Sequence, residues 1–270
     1  MSANISQNFV FHDEFMKINK SFENQLDIRC LDLHSMNLAL TNLPEMKQVN
    51  VPSIYISYFL KKSPTELQNQ LASYTKDNVQ SILSRTNNYF AQNILHLAEE
   101  HLNHGIILLK SIRALSSTNV SSSIFNGHLE REKNKKRLFG QLAKNIQEVI
   151  AKIDGSIIPK DASYYSYLTN YITLRNCFTH RSGTITETEN DLEIRLPYIS
   201  EEQISAVKES KSPTSINPQT IVRKWDLDDK IELTLHEVEG LSFGLLKTVS
   251  QILRDMYKAA EKHVEQLAKK

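Results

Sequence analysis

The stretch Tyr171-Ile-Thr-Leu-Arg-Asn-Cys-Phe-Thr-His-Arg-Ser-Gly183 decides the fold, because it ends a predicted helix and gathers polar side chains there. Apolar residues in and before it recur every three or four positions, which is the spacing of one helix face. Gly183 supplies a stop signal, since glycine adopts the left-handed backbone of a helix C-terminus without a steric penalty. The pattern predicts a helix over residues 164–178, with an apolar stripe of Tyr164, Tyr165, Leu168, Tyr171, Ile172, Leu174 and Phe178.

Three polar side chains are expected to lie together at the end of this helix. Asn176 and His180 are four residues apart, so they share a face, one turn above the other. Arg175 precedes Asn176, and its long stem can swing the guanidinium towards that face. A guanidinium forks onto phosphate oxygens and an imidazole transfers protons near neutral pH, so the set suits a phosphodiester. The other interpretation is structural: Arg175, His180 and Arg181 complement the negative end of the helix dipole.

The order Arg175-Asn176, three further residues, then His180 resembles the signature of the HEPN family, in which four to six residues separate the arginine from the histidine. The resemblance implies a small helical bundle, usually dimeric, that needs no metal or other cofactor. It also implies a metal-independent endoribonuclease of toxin–antitoxin, phage-defence or RNA-processing systems. Its partners would be RNA, a second copy of the chain, and an antitoxin or defence-system protein. Ser182 departs from the tyrosine of nucleotide-transfer-linked members, which speaks against that subgroup.

The resemblance also implies roles for the three motif residues in a cleft shared by two copies of the motif. The ribose 2′-hydroxyl would attack its own phosphate, with His180 as general base or acid. Arg175 would stabilise phosphate charge, and Asn176 would orient His180 or the phosphate. The alternative is a non-catalytic helical module for dimerisation, RNA binding or scaffolding, in which the motif is structural.

The composition indicates the size, charge and cellular compartment of the protein but does not indicate its activity. A chain of 270 residues holds one large or two small domains. The net charge of +1 gives no global nucleic-acid footprint, so any RNA-binding surface must be local. Two cysteines cannot build a disulfide framework, which favours a reducing compartment. The N-terminus lacks the features of a signal peptide, and no apolar run approaches the roughly 20 residues of a membrane helix. We therefore expect a cytoplasmic protein without a membrane partner.

The most basic short stretch is the run from Glu130 to Arg137, which is predicted to open a helix that continues to about Ile153. It is either a contact for the RNA backbone or an ordinary solvated helix face. The candidate RNA-binding residues are Arg131, Lys133, Lys135, Lys136 and Arg137, together with Arg181 beside the motif.

A second polar group occupies residues 96–104. His96, Glu100 and His104 are spaced four apart on one predicted helix face, with Glu99 and His101 beside them. Such side chains can bind a transition metal. The established zinc-binding spacings are missing, however, so we expect a polar stripe and no metal site.

The domain organisation is predicted as an N-terminal extension over residues 1–50 and a HEPN-like helical domain over 51–270. In the extension, alternation from Leu26 to Leu33 fits a short strand, although short helices fit as well. The helical domain would begin with a short helix at residues 54–60. A second helix would start at Pro64 and break near residues 76–78 or 85–88, because an unbroken helix to Leu115 would be far above average length.

The final part of the chain combines strand and helix patterns. Residues 184–188 with 192–196, and 221–225 with 231–235, predict two hairpins that share a small antiparallel sheet. A closing helix follows from about Val238 to Leu267. The predicted fold class is mainly α: a HEPN-like helical bundle with a small antiparallel β insertion, at about 184–236, between the motif helix and the C-terminal helix.

Overall fold

The computed structural model describes residues 4–42, 64–117, 122–135, 141–159, 162–186, 192–198 and 219–269. Within these ranges the chain forms helices and a two-stranded antiparallel sheet that lies between the last two helices in sequence. The predicted mainly helical class with a small β insertion is therefore confirmed. The elements are α1 (Asn4–Asn42), α2 (Pro64–Arg113), α3 (Ser122–Lys133), α4 (Leu142–Asp154), α5 (Ser163–Arg181), β1 (Leu192–Tyr198), β2 (Gln219–Trp225) and α6 (Leu235–Ala268).

The N-terminal segment is one helix of 39 residues, so the strand interpretation of residues 26–33 was wrong. Its buried apolar residues are separated by four and seven positions, which places them on one helix face. The alternation that suggested a strand came from Ile28 and Leu31, whose exposures are 59% and 68%. Helix α1 packs on α2 and α6 and contributes to the same core through Phe11, Phe15, Phe22, Leu26 and Leu33.

Helix α2 begins at Pro64 as expected and runs for 50 residues. The predicted break near residues 76–78 or 85–88 was wrong. Asparagine usually favours turns because its amide competes for nearby backbone groups. Asn87 and Asn88 instead bond outside their helix: Asn87 Nδ2 donates to the carbonyl of Leu233 at 3.1 Å, and Asn88 Nδ2 donates to that of Ile231 at 2.7 Å. The predicted helix at residues 54–60 lies outside the described residues.

These two asparagines belong to a network that links three parts of the chain. Asn37 of α1 donates through Nδ2 to Asn87 Oδ1 at 3.1 Å, and both side chains are buried. The backbone N–H of Leu233 donates to Asn88 Oδ1, also at 3.1 Å. The network therefore joins α1, the middle of α2 and the segment that leads into α6.

Helix α6 closes the bundle. It starts at Leu235, three residues before the predicted start, because Thr234 and Glu237 form a capping box. It packs against α2, α1 and α4, and it also contacts α5 and β1. Leu241, Leu245, Val249, Ile252 and Met256 on its inner face are fully buried, and the predicted closing helix is confirmed.

The strands of the sheet lie in segments that were predicted as strands, but their pairing partners differ from the prediction. Strand β1 pairs with β2, with Leu192 opposite Trp225 and Leu196 opposite Ile221. The segment after α5 pairs instead with residues 228–231, and the N–H of Ile185 donates to the carbonyl of Asp229 at 2.9 Å. The predicted partners were wrong, since each segment pairs across the two hairpins. This arrangement buries Leu192, Ile194 and Leu196 against the helices.

The single helix predicted from Glu130 to about Ile153 was also wrong. Helix α3 ends at Lys133, and α4 begins separately at Leu142. The helix dipole accounts for the position of Arg131 and Lys133 in the last turn of α3. Cations are unfavourable in a first turn and favourable in a last turn, so Arg131 and Lys133 end a helix instead of opening one.

Two glycines let α6 approach β1 and α5 closely. A Cβ on Gly240 would lie 2.1 Å from the carbonyl oxygen of Pro197, and one on Gly244 would lie 2.4 Å from the Tyr171 hydroxyl. We expect Gly240→Ala to lower the free energy of unfolding by about 1–3 kcal/mol, because a backbone atom must move. The matched control is Gly127→Ala in α3, where a Cβ meets nothing within 4 Å. Urea unfolding that gives the same loss for both variants would contradict this packing argument.

Candidate functional site

The motif lies at the end of α5, where the backbone turns sharply. Ser182 and Gly183 both adopt positive φ, at 53° and 82°, and the N–H of Gly183 donates to the carbonyl of Cys177 at 3.0 Å. Leu174 and Cys177 are buried on the core side of this last turn. Burial raises the pKa of the Cys177 thiol, and the nearby charge of Arg181 opposes the increase. The predicted helix and its glycine stop are confirmed.

Arg175 forms an ion pair with Glu99 of α2. Its Nε lies 3.1 Å from Glu99 Oε2, and the two side chains are only 12% and 7% exposed. Arg175 Nη1 also donates to Asn176 Oδ1 at 3.0 Å. The guanidinium is therefore held between a carboxylate on one helix and an amide on its own helix.

A second set of polar contacts continues along the same α2–α5 boundary. Thr179 Oγ1 lies 3.4 Å from His96 Nε2 and accepts a hydrogen bond from Gln92 Nε2, also at 3.4 Å. His96 Nδ1 is 3.6 Å from Glu99 Oε2. The boundary near the motif is thus lined by an arginine, an imidazole, a carboxylate, an amide and a hydroxyl.

Burial and charge determine the protonation of this group. Burial raises the pKa of Glu99, although the neighbouring Arg175 opposes the increase. Burial and the charge of Arg175 lower the pKa of His96 below its ordinary 6.5. Both effects favour the neutral imidazole of His96 beside the guanidinium of Arg175.

The structure gives the three motif residues different environments. Arg175 and Asn176 are half-buried and bonded to each other, whereas His180 is exposed at the helix end. Within the described ranges, no hydrogen bond joins His180 to either of them. Asn176 and His180 keep the one-turn spacing expected from their positions in the helix.

The basic residues lie at the end of α3, which packs on α2. Arg131 is exposed, Lys133 Nζ is 2.7 Å from Glu130 Oε1, and Lys135 bonds to Glu132. Arg181 is half-buried beside the motif. Lys136 and Arg137 lie outside the described residues.

The polar side chains of residues 96–104 in α2 have separate surroundings and do not form one cluster. Glu99 pairs with Arg175, while His101 is buried with Nδ1 2.9 Å from the carbonyl oxygen of Leu97. His104 is exposed, although partial desolvation of its imidazole lowers its pKa. In the part of the chain that the structure describes, no three His, Cys, Asp or Glu side chains are placed to hold a metal ion.

Glu99 is the site residue that the sequence reasoning did not assign to the motif. It falls within the apolar stripe of α2, beside Leu95, Ala98 and Leu102, all of which are buried. A carboxylate in such a stripe needs a cationic partner, because burying an unpaired charge is costly. That signal was available, although the sequence did not show which cation would meet it.

No family model, curated protein or solved structure matches the chain. Among the described residues, none of the helices is both long enough and apolar enough to span a bilayer.

Proposed function

We propose that the chain is a metal-independent endoribonuclease of the HEPN type that acts in toxin–antitoxin or phage-defence systems. The observation that carries the proposal is the pairing of Arg175 with Asn176 one turn before an exposed His180. Glu99 strengthens it, because the ion pair fixes the guanidinium and limits its rotation. A fixed cation beside an accessible imidazole suits attack on a phosphodiester.

The reaction begins when the ribose 2′-hydroxyl loses its proton to a general base and attacks the adjacent phosphorus. The new bond joins O2′ to phosphorus, and the bond from phosphorus to O5′ breaks. Arg175 stabilises the negative charge that develops on the phosphate oxygens, while Asn176 keeps the guanidinium in place. The departing O5′ takes a proton from a general acid. The products are a 2′,3′-cyclic phosphate and a free 5′-hydroxyl.

This chemistry uses a base and an acid, whereas one motif supplies a single His180. We expect a two-fold homodimer in which two motif helices are adjacent, since such dimers are the commonest closed assembly. Sedimentation velocity at micromolar concentration should give the mass of two chains. A monomer under conditions in which RNA is cleaved would contradict the composite site.

A second candidate function is a non-catalytic helical module for dimerisation, RNA binding or scaffolding. The observation that favours it is also the Arg175–Glu99 pair, because neutralising a buried carboxylate would by itself account for an arginine that is 12% exposed. Under this alternative, His180 has no chemical role. Removing it would leave assembly and RNA binding unchanged.

Incubation with total RNA in EDTA distinguishes the two candidates. The ribonuclease proposal expects cleavage by the wild-type chain, loss of cleavage in His180→Ala, and 2′,3′-cyclic phosphate ends by mass spectrometry. If the chain is a scaffold, the RNA should remain intact with both the wild type and His180→Ala. An antitoxin or defence-system partner would be sought by co-purification only after cleavage is established.

The basic end of α3 is proposed as the contact for the RNA backbone. Reversing Arg131, Lys133 and Lys135 to glutamate should weaken RNA binding and flatten its salt dependence, by about 0.7 in logarithmic slope for each lost contact with a single strand. All three residues are exposed, and circular dichroism of the variant checks that folding survives, because Lys135 also bonds to the buried Glu132. The control carries the same charge reversal at Lys144, Lys152 and Lys262, which are also exposed. Equal RNA affinity and equal salt slopes in the two triple variants would make the α3 end an ordinary solvated surface.

A further inference from the structure

A groove of about 470 Å³ lies along the first half of α5, where α6 and the sheet face it. Tyr164, Tyr167 and Tyr171 of α5 contribute aromatic rings at intervals of three and four residues. Its size falls within the range of about 300–1,000 Å³ that is typical of small-molecule sites. None of the motif residues Arg175, Asn176 and His180 is among the described lining residues, and His180 lies nine residues beyond Tyr171, about 13.5 Å farther along the helix axis.

The charged side chains that line the groove are all cationic among the described residues. Arg195, Lys247 and Arg254 line it, and no carboxylate is among its described lining residues. The Nζ of Lys247 lies 4.4 Å from the centre of the Phe243 ring, and no ion pair joins it to a carboxylate of the described residues. Arg195 makes a looser contact of 3.6 Å with Glu193 and remains 54% exposed. The groove therefore attracts an anion.

Two contacts fix the aromatic wall. The hydroxyl of Tyr164 donates to Asp255 Oδ2 at 2.6 Å, and Asp255 is itself buried. Tyr171 can lie against α6 because Gly244 has no side chain, and a Cβ there would be 2.4 Å from the Tyr171 hydroxyl. Tyr167 stands between them and is half-buried. The positions of the Tyr164 and Tyr171 rings are therefore constrained, and the ring of Tyr167 lies between them in sequence as the ring available to a ligand.

We propose that this groove binds a nucleotide, with its base against Tyr167 and its phosphate near Lys247 and Arg254. Aromatic rings accept any nucleobase by stacking, and arginine and lysine hold phosphate oxygens. The nucleotide is either a free mononucleotide or one unit of a single-stranded RNA, since both present the same base and phosphate. The inference does not rest on the proposed ribonuclease activity, because binding in this groove requires neither Arg175 nor His180.

Binding is measured with the full-length protein in EDTA by two probes. Calorimetry follows AMP and ATP, and fluorescence anisotropy follows a labelled, short 2′-O-methyl oligoadenylate. The 2′-O-methyl group removes the attacking hydroxyl, so cleavage cannot affect the second measurement. Binding of AMP or ATP, with displacement of the labelled strand, identifies a free nucleotide as the ligand. Binding of the strand alone identifies single-stranded RNA.

Two sets of variants assign the binding to the groove. Lys247→Glu with Arg254→Glu should weaken binding by at least about ten-fold, because each lost phosphate contact removes a favourable charge interaction. The matched control is Lys262→Glu with Lys269→Glu, which changes two exposed lysines at and beyond the end of α6 by the same total charge. Tyr167→Ala should lose about ten-fold in affinity, whereas Tyr167→Phe keeps the ring and should bind like the wild type.

Three outcomes would overturn the inference. They are the absence of binding by every probe, equal weakening by the two charge-reversal pairs, and unchanged binding by Tyr167→Ala. Circular dichroism and urea unfolding of each variant show that a loss of binding is not a loss of folding. Cleavage of total RNA by the same preparations reports on the motif separately, so failure of either proposal leaves the other testable.

Discussion

Cleavage of RNA by the His180→Ala variant is expected to be about 10²–10⁴-fold slower than by the wild-type chain, because positioned proton transfer contributes that much. Single-turnover rates on a defined oligoribonucleotide in EDTA give the ratio directly. His180 is exposed at the end of α5, so its removal should leave the unfolding curve unchanged. The loss would therefore report chemistry rather than stability.

The matched control is His104→Ala, which removes another exposed histidine from the bundle. It should cleave at the wild-type rate. Arg175→Lys should lose most of its activity, since it keeps the charge but not the planar fork that matches two phosphate oxygens. Cleavage that stops in EDTA, leaves 5′-phosphate ends and depends on His104 would transfer the site to residues 96–104.

The second large effect concerns stability. Arg175→Met is expected to lower the free energy of unfolding by about 3–5 kcal/mol, because it leaves the carboxylate of Glu99 buried without its cation. The double variant Glu99→Leu with Arg175→Met should recover most of that loss, since two apolar side chains of similar size replace the pair. Urea unfolding at pH 7 measures both.

The double variant also separates the two roles of Arg175. If it is as stable as the wild type and cleaves no RNA, the guanidinium is needed for the reaction. If it is stable and fully active, the ion pair is only structural and the assignment of Arg175 to catalysis is wrong. Equal stability of the single variant Arg175→Met and the wild type would show that the Glu99 carboxylate is solvated or protonated in the folded chain.

The sequence predicted the helices that have one apolar face and a recognisable residue at an end, such as a glycine after the last turn. The motif helix α5 with Gly183, and the closing helix α6, follow that rule. The sequence left a strand and short helices open for the segment of α1, because Ile28 and Leu31 lie on its exposed face and obscure the stripe of buried residues. Local patterns cannot report that a large side chain is left in solvent.

Partners that are distant in sequence were the second source of error. The segments of β1 and β2 were predicted as strands, but a strand pattern does not specify which strand lies beside which. The same reason explains Asn87 and Asn88, which look like breakers until Ile231 and Leu233 are placed next to them. For the site, the sequence placed Asn176 and His180 on one helix face, whereas the pairing of Arg175 with Glu99 depends on packing between helices.

The buried asparagines also determine how the molecule opens. Asn37 donates to Asn87 as well as to the carbonyl of Leu33 in its own helix, and Asn87 donates to the carbonyl of Leu233, so segments separated by 50 and 146 residues depend on one another. Separating any one of these segments from the others leaves a buried side-chain amide with a lost hydrogen bond, at a cost of about 1–3 kcal/mol. Fraying at the C-terminal end of α1 is therefore coupled to the middle of α2 and to the start of α6. We expect the three segments to open as a single cooperative unit, in which amide protons exchange with solvent through a shared opening rather than by independent local fluctuations.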